Sequence, residues 1–132
     1  MSWNGVKKQS IKAEIENWCE EMGLKGYTIN SKGEIDVEGS VNLAYKDFKE
    51  LPYKFGKVNG YFDVSHNKNL ISLKNCPNKV EDYFRCSYCK KLDSLEGCPK
   101  EVEQSFFCKE CKRKFTGKEI RSYCKMGFNI YN

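Results

Sequence analysis

Two consecutive stretches of the chain, YFDVSHNKNLISLKNCPNKVED at residues 61–82 and YFRCSYCKKLDSLEGCPKEVEQ at residues 83–104, align over 22 positions without a gap. The large apolar residues coincide, and so do a Ser-Leu and a Cys-Pro pair. A third copy begins at Ser105 and loses the pattern after Lys114, while a less regular unit over residues 33–58 precedes the first. Units of this length bury their apolar face by stacking, so the repeat predicts a solenoid of three to four coils.

Each repeat unit predicts a short strand, a turn and an irregular return segment. Apolar and polar residues alternate in residues 62–65 and again in residues 84–87, which is typical of a half-buried strand. A proline follows Cys76 and Cys98, and it restricts both its own φ and the residue before it. The return therefore ends in an extended bend, with little room for a helix inside a coil.

The spacing of apolar residues around Asn67 and, one unit later, around Cys89 resembles the leucine-rich repeat, in the form L-x-L-x-x-N/C-x-x-L. The leading leucine of that repeat is replaced by valine one position early, at Val58, Val80 and Val102. The chain more closely resembles leucine-rich-repeat-like proteins encoded by large tailed bacteriophages, over residues 27–116. The stretches that carry this resemblance are SLEGCPKEV and LPYKFGKVNGYFDVS. This resemblance implies a location in the host cytoplasm and a host factor as the protein partner.

Both ends of the chain predict helical caps, which keep terminal coils from exposing their core. An apolar stripe recurs at helical spacing before Gly23, a stop signal; it comprises Ile11, Ile15, Trp18 and Met22. Thr116 and Glu119 form a capping-box pattern that opens a second helix through about Lys125. The predicted fold class is therefore α+β, a single domain over residues 1–132. It comprises a helical cap (1–26), a short leucine-rich-repeat-like solenoid with a small stacked β-sheet (27–115) and a second helical cap (116–132).

Composition is typical of a globular protein. Of 132 residues, 39% are hydrophobic, 14% aromatic and 31% charged. No stretch approaches the ~20 apolar residues of a membrane helix, and the N-terminus has no apolar signal core. We therefore expect a cytoplasmic protein without membrane contact, in which the eight cysteines are thiols or metal ligands instead of disulfides.

Four cysteines form two Cys-x-x-Cys pairs whose spacing also suits zinc; they are Cys86, Cys89, Cys108 and Cys111. The first of each pair stands where the earlier unit has Val64, and the second stands where it has Asn67. Because those positions are expected to be buried, we interpret the four as structural thiols and expect no cofactor. Stacking brings equivalent positions of neighbouring coils to about 4.8 Å, so a zinc ion held by these thiols and a redox pair among them stay open as alternatives.

The sequence contains no recognisable catalytic constellation. It has one histidine, His66, which we interpret as a surface residue, and it has no glycine-rich phosphate loop and no nucleophile motif. Core positions repeat while outward strand positions vary, so we expect a non-enzymatic module that binds another protein through its outer strand face. The residues expected there are Tyr61, Asp63, Ser65, Tyr83, Arg85, Ser87, Tyr88, Phe107 and Lys109.

Nucleic-acid binding is the alternative function. The stretch KECKRK at residues 109–114 concentrates positive charge in a chain whose net charge is +5. Phe107 and Tyr88 are the expected stacking platforms beside this basic edge, whose bases are Lys109, Lys112, Arg113 and Lys114. Salt dependence separates the two functions, because phosphate-driven affinity falls steeply as ionic strength rises.

Overall fold

The computed structural model describes residues 5–132, so residues 1–4 of the predicted N-terminal cap lie outside the described residues. The described elements, in chain order, are α1 (Gly5–Glu21), β1 (Tyr27–Ile29), β2 (Ile35–Val37), β3 (Val41–Asn42), β4 (Phe55–Val58), β5 (Phe62–Asp63), β6 (Lys79–Val80), β7 (Phe84–Arg85), β8 (Glu101–Val102), β9 (Phe106–Phe107), α2 (Gly117–Tyr123), β10 (Lys125–Met126) and β11 (Ile130–Tyr131).

The strands form two sheets, and each coil contributes one strand to each of them. Sheet A has the order β1-β2-β4-β6-β8-β10, and sheet B has the order β3-β5-β7-β9-β11. All pairings are parallel except that of β1 with β2. The chain is therefore a β-solenoid of about four turns, which confirms the stacked architecture that the repeat predicts.

Sheet A is an addition to the single small sheet expected from the sequence. Its strands include Val58, Val80 and Val102, the residues that replace the leading leucine of the leucine-rich repeat, and these three pair in register. Each valine is fully buried. Pairing in a sheet satisfies the backbone N–H and C=O groups that would otherwise be buried without partners.

Side chains between the two sheets form one continuous core. The rings of Phe62, Phe84 and Phe106 lie one above another, with centroids 6.1 Å and 5.1 Å apart. The return segments close the core from the other side with Leu70, Leu73, Leu92 and Leu95, all buried. Burial of each such side chain is worth about 1.5–3 kcal/mol, so the stacked core adds to the hydrogen bonds between strands in holding the coils together.

Helix α1 packs against the first coil. The ring of Trp18 lies 6.0 Å from that of Phe55, edge to face. The helix ends two residues before Gly23, which has the left-handed φ of +72° expected of a residue that terminates a helix. The predicted apolar stripe is buried only in part, because Ile11 stays exposed.

The predicted C-terminal cap is not confirmed as such. Helix α2 begins after Thr116, whose side chain accepts a hydrogen bond from the Glu119 N–H at 3.1 Å, as the capping pattern predicts. The chain then leaves the helix at Cys124 and adds β10 to sheet A and β11 to sheet B. Strand pairing prevails here because the edges of β8 and β9 offer backbone groups in register with the final segment.

Truncation of the central phenylalanine tests the core. We expect Phe84→Ala to lower the free energy of unfolding by about 3–5 kcal/mol, because it opens a cavity between two stacked rings. Urea denaturation followed by circular dichroism measures the loss. Ile71→Ala, at a residue that is 58% exposed, is the matched control and should change stability by less than about 0.5 kcal/mol; equal losses in the two variants would contradict the stacked core.

Candidate interaction face

Four aromatic side chains form a continuous row across the outer side of sheet B, which we call the long aromatic row. Tyr61 and Tyr83 stack face to face with centroids 4.8 Å apart, and Tyr83 meets Phe107 edge to face at 5.5 Å. Phe107 then stacks on Tyr131 at 4.6 Å. Tyr61 and Tyr83 directly precede β5 and β7, but the equivalent residue before β9 is Ser105. The row therefore continues through Phe107, two residues further along, and its strand partner Tyr131. Burial raises the pKa of Tyr83, and the charge of Asp63 adds to the effect, so its hydroxyl stays neutral.

A second row runs along the turns that follow the sheet B strands; we call it the short aromatic row. His66 lies between Tyr45 and Tyr88, nearly parallel to both, with centroid distances of 4.3 Å and 4.7 Å. All three residues have a positive φ near 60°, as does Glu110 at the same position of the next coil. A left-handed backbone costs a non-glycine residue roughly 1–2 kcal/mol. The turn keeps this geometry because the N–H groups at these positions bond to the next coil, for example His66 N to Ser87 O at 3.0 Å.

Three members of the two rows, Tyr45, His66 and Tyr131, are not among the face residues expected from the sequence. His66, interpreted as an ordinary surface residue, is the centre of the short row. Tyr45 and Tyr131 were missed because the repeat offsets at the ends of the solenoid differ from 22: Asn42 pairs with Asp63, and Tyr131 pairs with Phe107. Aligning the terminal units with a one-residue deletion and a two-residue insertion would have found both.

Three residues predicted to face outward are buried, and their exposure was predicted wrongly. Ser65, Ser87 and Asp63 are 0%, 2% and 8% exposed. The Asp63 carboxylate accepts from Ser65 N at 2.8 Å, the Ser65 hydroxyl accepts from Ser87 N at 3.0 Å, and the Ser87 hydroxyl accepts from Lys109 N at 3.0 Å. The two serines thus join successive coils, whereas Asp63 bonds within its own coil, and burial makes all three largely unavailable to a partner.

The remaining predicted face residues are accessible. Lys109 is exposed, and five others are half-buried, namely Tyr61, Tyr83, Arg85, Tyr88 and Phe107. Arg85 lies 4.0 Å from the Asp63 carboxylate and keeps a side-chain exposure of 38%. The face is thus aromatic with one partly paired cation in its middle.

The basic edge at residues 109–114 is less positive than its sequence implies. Lys112 lies 3.9 Å from Asp93, and Arg113 contacts Asp93 at 3.2 Å. Arg113 also forms a bidentate pair with Glu119, with distances of 2.9 Å and 2.6 Å. These hydrogen bonds raise the pKa of Arg113 and lower the pKa of Glu119. Two of the four bases are therefore paired with acids on neighbouring segments.

Asn67 and the cysteines aligned with it form a ladder beneath the short row; we call Asn67, Cys89 and Cys111 the ladder residues. The Asn67 amide donates to Leu43 O at 2.9 Å in the previous coil and accepts from the N–H groups of Lys46 and Phe48. Cys89 Sγ donates to Val64 O at 3.4 Å, and Cys111 Sγ donates to Cys86 O at 3.2 Å. Each ladder side chain thus reaches back by one coil.

Burial keeps most of the Cys-x-x-Cys thiols neutral. It raises the pKa of Cys89 and Cys108 to about 12. The pKa of Cys86 also rises, chiefly through its hydrogen bond to the Cys111 side chain and then through burial. Zinc binds thiolates. Among residues 5–132 the structure shows no cluster of three or more His, Cys, Asp or Glu side chains arranged to hold a metal ion.

A groove of about 630 Å³ lies on the return side of the coils, away from both aromatic rows. Lys54 lines it, and its ammonium group donates to Phe55 O at 2.8 Å, Cys76 O at 2.6 Å and Asn78 Oδ1 at 2.9 Å. Burial lowers the pKa of Lys54. All three of its protons are engaged by the protein, so this lysine ties two coils together.

No protein-family profile, characterised protein or solved structure matches the chain significantly. Neither described helix has the length and apolar character needed to cross a bilayer.

Replacing a ladder cysteine tests the structural interpretation of the thiols. We expect Cys89→Asn to keep the stability of the parent protein within about 1 kcal/mol, because Asn67 fills the same position one coil earlier and donates to the equivalent carbonyl of its own previous coil. Urea denaturation measures stability, and atomic absorption on the purified protein measures zinc. Cys89→Asp is the matched variant, of similar size but charged, and it should be clearly less stable. One equivalent of zinc, lost together with stability in Cys89→Asn, would establish a metal site instead.

Proposed function

We propose that this chain is a non-enzymatic protein-binding module that contacts its partner through the outer face of sheet B. In this proposal the partner is a host factor, which the module inhibits or redirects in the host cytoplasm, as the resemblance to phage-encoded leucine-rich-repeat-like proteins implies. The observation that carries the proposal is the pair of aromatic rows, one on the outer side of sheet B and the other along the turns that follow its strands.

The composition of this face supports a protein partner. Tyrosine and arginine are enriched among the residues that dominate interface energies, and here Tyr61, Tyr83 and Tyr88 accompany Arg85. Interfaces of this kind combine an apolar contact area with hydroxyl and guanidinium groups that donate hydrogen bonds. A partner can therefore bury apolar area against the rings, and hydrogen bonds to the hydroxyl and guanidinium groups can fix its orientation.

Pre-ordering of the side chains also supports binding. A side chain that is immobilised on association loses about 0.5–1.5 kcal/mol of conformational free energy. Tyr83 already packs against Tyr61 on one side and Phe107 on the other, and His66 is held between two tyrosines. Much of that loss has therefore occurred on folding, before a partner arrives.

Exposed charges of both signs surround the short aromatic row, since Asp47 and Glu110 accompany its lysines. Within two residues after each member of the row the chain places an exposed lysine: Lys46, Lys68 and Lys90. Lys90 lies 3.5 Å from Glu110 and 5.7 Å from the centre of the Tyr88 ring. Complementary charge at the rim of an interface speeds association and orients the partner.

A combined substitution on the face tests the proposal. We expect Tyr83→Ser with Arg85→Gln and Phe107→Ala to abolish capture of the partner that the parent protein retains in an affinity pull-down from host cells. Glutamine replaces Arg85 because a glutamate would place a second negative charge near the Asp63 carboxylate, from which the Arg85 guanidinium lies 4.0 Å. The melting temperature should fall by roughly 5–20 °C, since three aromatic contacts worth about 0.5–1.5 kcal/mol each are lost, and circular dichroism at the temperature of the pull-down checks that the variant is folded.

The control for the pull-down lies on the return side of the coils. Ile71→Ala with Lys74→Glu changes two exposed residues that are remote from both aromatic rows, and this variant should retain the partner. Undiminished capture by the face variant, or equal loss in both variants, would contradict the proposed surface.

Salt titration separates this proposal from nucleic-acid binding. Because Lys112 and Arg113 are paired with acids, we expect labelled single-stranded DNA and RNA to show no binding whose affinity falls steeply between low and moderate salt. Fluorescence anisotropy measures the affinity. A steep salt dependence that disappears in Lys109→Ala with Lys114→Ala would favour the nucleic-acid function.

A further inference from the structure

The ladder contacts show which residue of the previous coil each ladder side chain touches. Each ladder side chain lies against the inner strand residue of the previous coil, which is Leu43 for Asn67, Val64 for Cys89 and Cys86 for Cys111. The separation is 24 residues in the first case and 25 in the other two. Only the last of these contacts joins two sulfur-bearing residues.

Cys111 and Cys86 contact each other across neighbouring coils. Cys111 Sγ lies 3.2 Å from the Cys86 carbonyl oxygen. Cys89 is directed away from this pair, because its Sγ donates to Val64 O in the coil before. Stacking of equivalent positions also places Cys108 next to Cys86 and Cys111 next to Cys89, but the ladder contact adds a direct approach of the Cys111 sulfur to Cys86.

Cys111 is the accessible member of the pair. It is half-buried, whereas the other seven cysteines of the chain are buried. A peroxide in solution can therefore reach its sulfur atom, whereas the sulfur atoms of the neighbouring cysteines are covered. A thiolate is the reactive form of cysteine, and oxidation follows exposure as well as thiolate character.

We propose that Cys111 and Cys86 form a reversible inter-coil disulfide when the protein meets a hydroperoxide. The Cys111 thiolate attacks one peroxide oxygen, so that an S–O bond forms and the O–O bond breaks. The other oxygen takes up the proton that Cys111 released and leaves as water or an alcohol. The Cys86 sulfur then attacks the Cys111 sulfenic acid, the S–O bond breaks, and the Cys86 proton leaves with that oxygen as water.

The oxidised state differs from the reduced one at a defined place. A disulfide requires the two sulfur atoms to approach to about 2.05 Å, which replaces the hydrogen bond from Cys111 Sγ to the Cys86 carbonyl. The bond joins the coil of β7 to the coil of β9 beside the short aromatic row. Its formation depends on no partner, so it is independent of the proposed protein-binding function.

The repeat itself supplies matched variants for the test. Cys86→Val introduces the residue type that the equivalent position one coil earlier, Val64, already has. Cys111→Asn introduces the residue type found two coils earlier, at Asn67. Cys89→Asn and Cys108→Val make the same replacements at the other two cysteines of the motif. All four variants therefore exchange a thiol for a side chain that the fold already accommodates at that position.

Peroxide treatment followed by peptide mapping under non-reducing conditions tests the proposal. The parent protein, Cys89→Asn and Cys108→Val should all yield the Cys86–Cys111 cross-linked peptide, which dithiothreitol removes. Cys86→Val and Cys111→Asn should yield no cross-link. In Cys86→Val a dimedone adduct at Cys111 should appear instead, because the sulfenic acid has no neighbouring thiol. A cross-link between other cysteines, or oxidation of Cys111 in the parent without any cross-link, would overturn the proposal.

Discussion

Parallel hydrogen bonding between successive coils is the constraint on which the rest of the structure depends. It holds equivalent residues at the separation of neighbouring strands, about 4.8 Å, and it does so in both sheets. A side chain in this arrangement has its counterpart from the next coil as its nearest neighbour. Large apolar residues therefore stack into a core, as Phe62, Phe84 and Phe106 do, and any change of residue type affects the coils above and below.

The same spacing acts on polar residues. Within the interior it turns Asn67, Cys89 and Cys111 into a ladder in which each side chain satisfies a carbonyl of the previous coil. Amide and thiol can both occupy this position because both can donate to that carbonyl, and burial keeps the Cys89 thiol neutral. The two ladder cysteines thus take the place of Asn67 as donors to a backbone carbonyl. The contact of Cys111 with Cys86 is where the ladder also joins two sulfur-bearing residues.

On the outer side, the spacing converts scattered aromatic residues into rows. A ring that stacks at 4.3–4.8 Å, as in the contacts of Tyr45 with His66 and of Tyr61 with Tyr83, loses its rotamer freedom on folding. The proposed binding face is consequently rigid, while the lysines that flank it remain exposed. Rigid aromatic area surrounded by charge is a combination suited to recognition, since the aromatic area supplies affinity and the charge supplies orientation.

Much of this was readable in the sequence. Gap-free alignment of residues 61–82 with residues 83–104 determined the coil length, the register and the inward positions, because a repeated apolar pattern can be buried only by stacking in phase. The alternation of inward and outward residues did not show that Ser65 and Ser87 are buried. Alternation predicts which side of the strand a side chain is on, but it does not predict whether neighbouring residues cover that side chain. The side-chain pattern did not predict the second sheet or strands β10 and β11. These form because backbone N–H and C=O groups at a strand edge take hydrogen-bond partners, and every residue type except proline carries both groups. Tertiary structure alone decided that Arg113 meets Glu119, that His66 lies between two tyrosines and that Cys111 reaches Cys86. Each of these contacts depends on how the turns set one segment against another, and that offset arises only when the chain has folded.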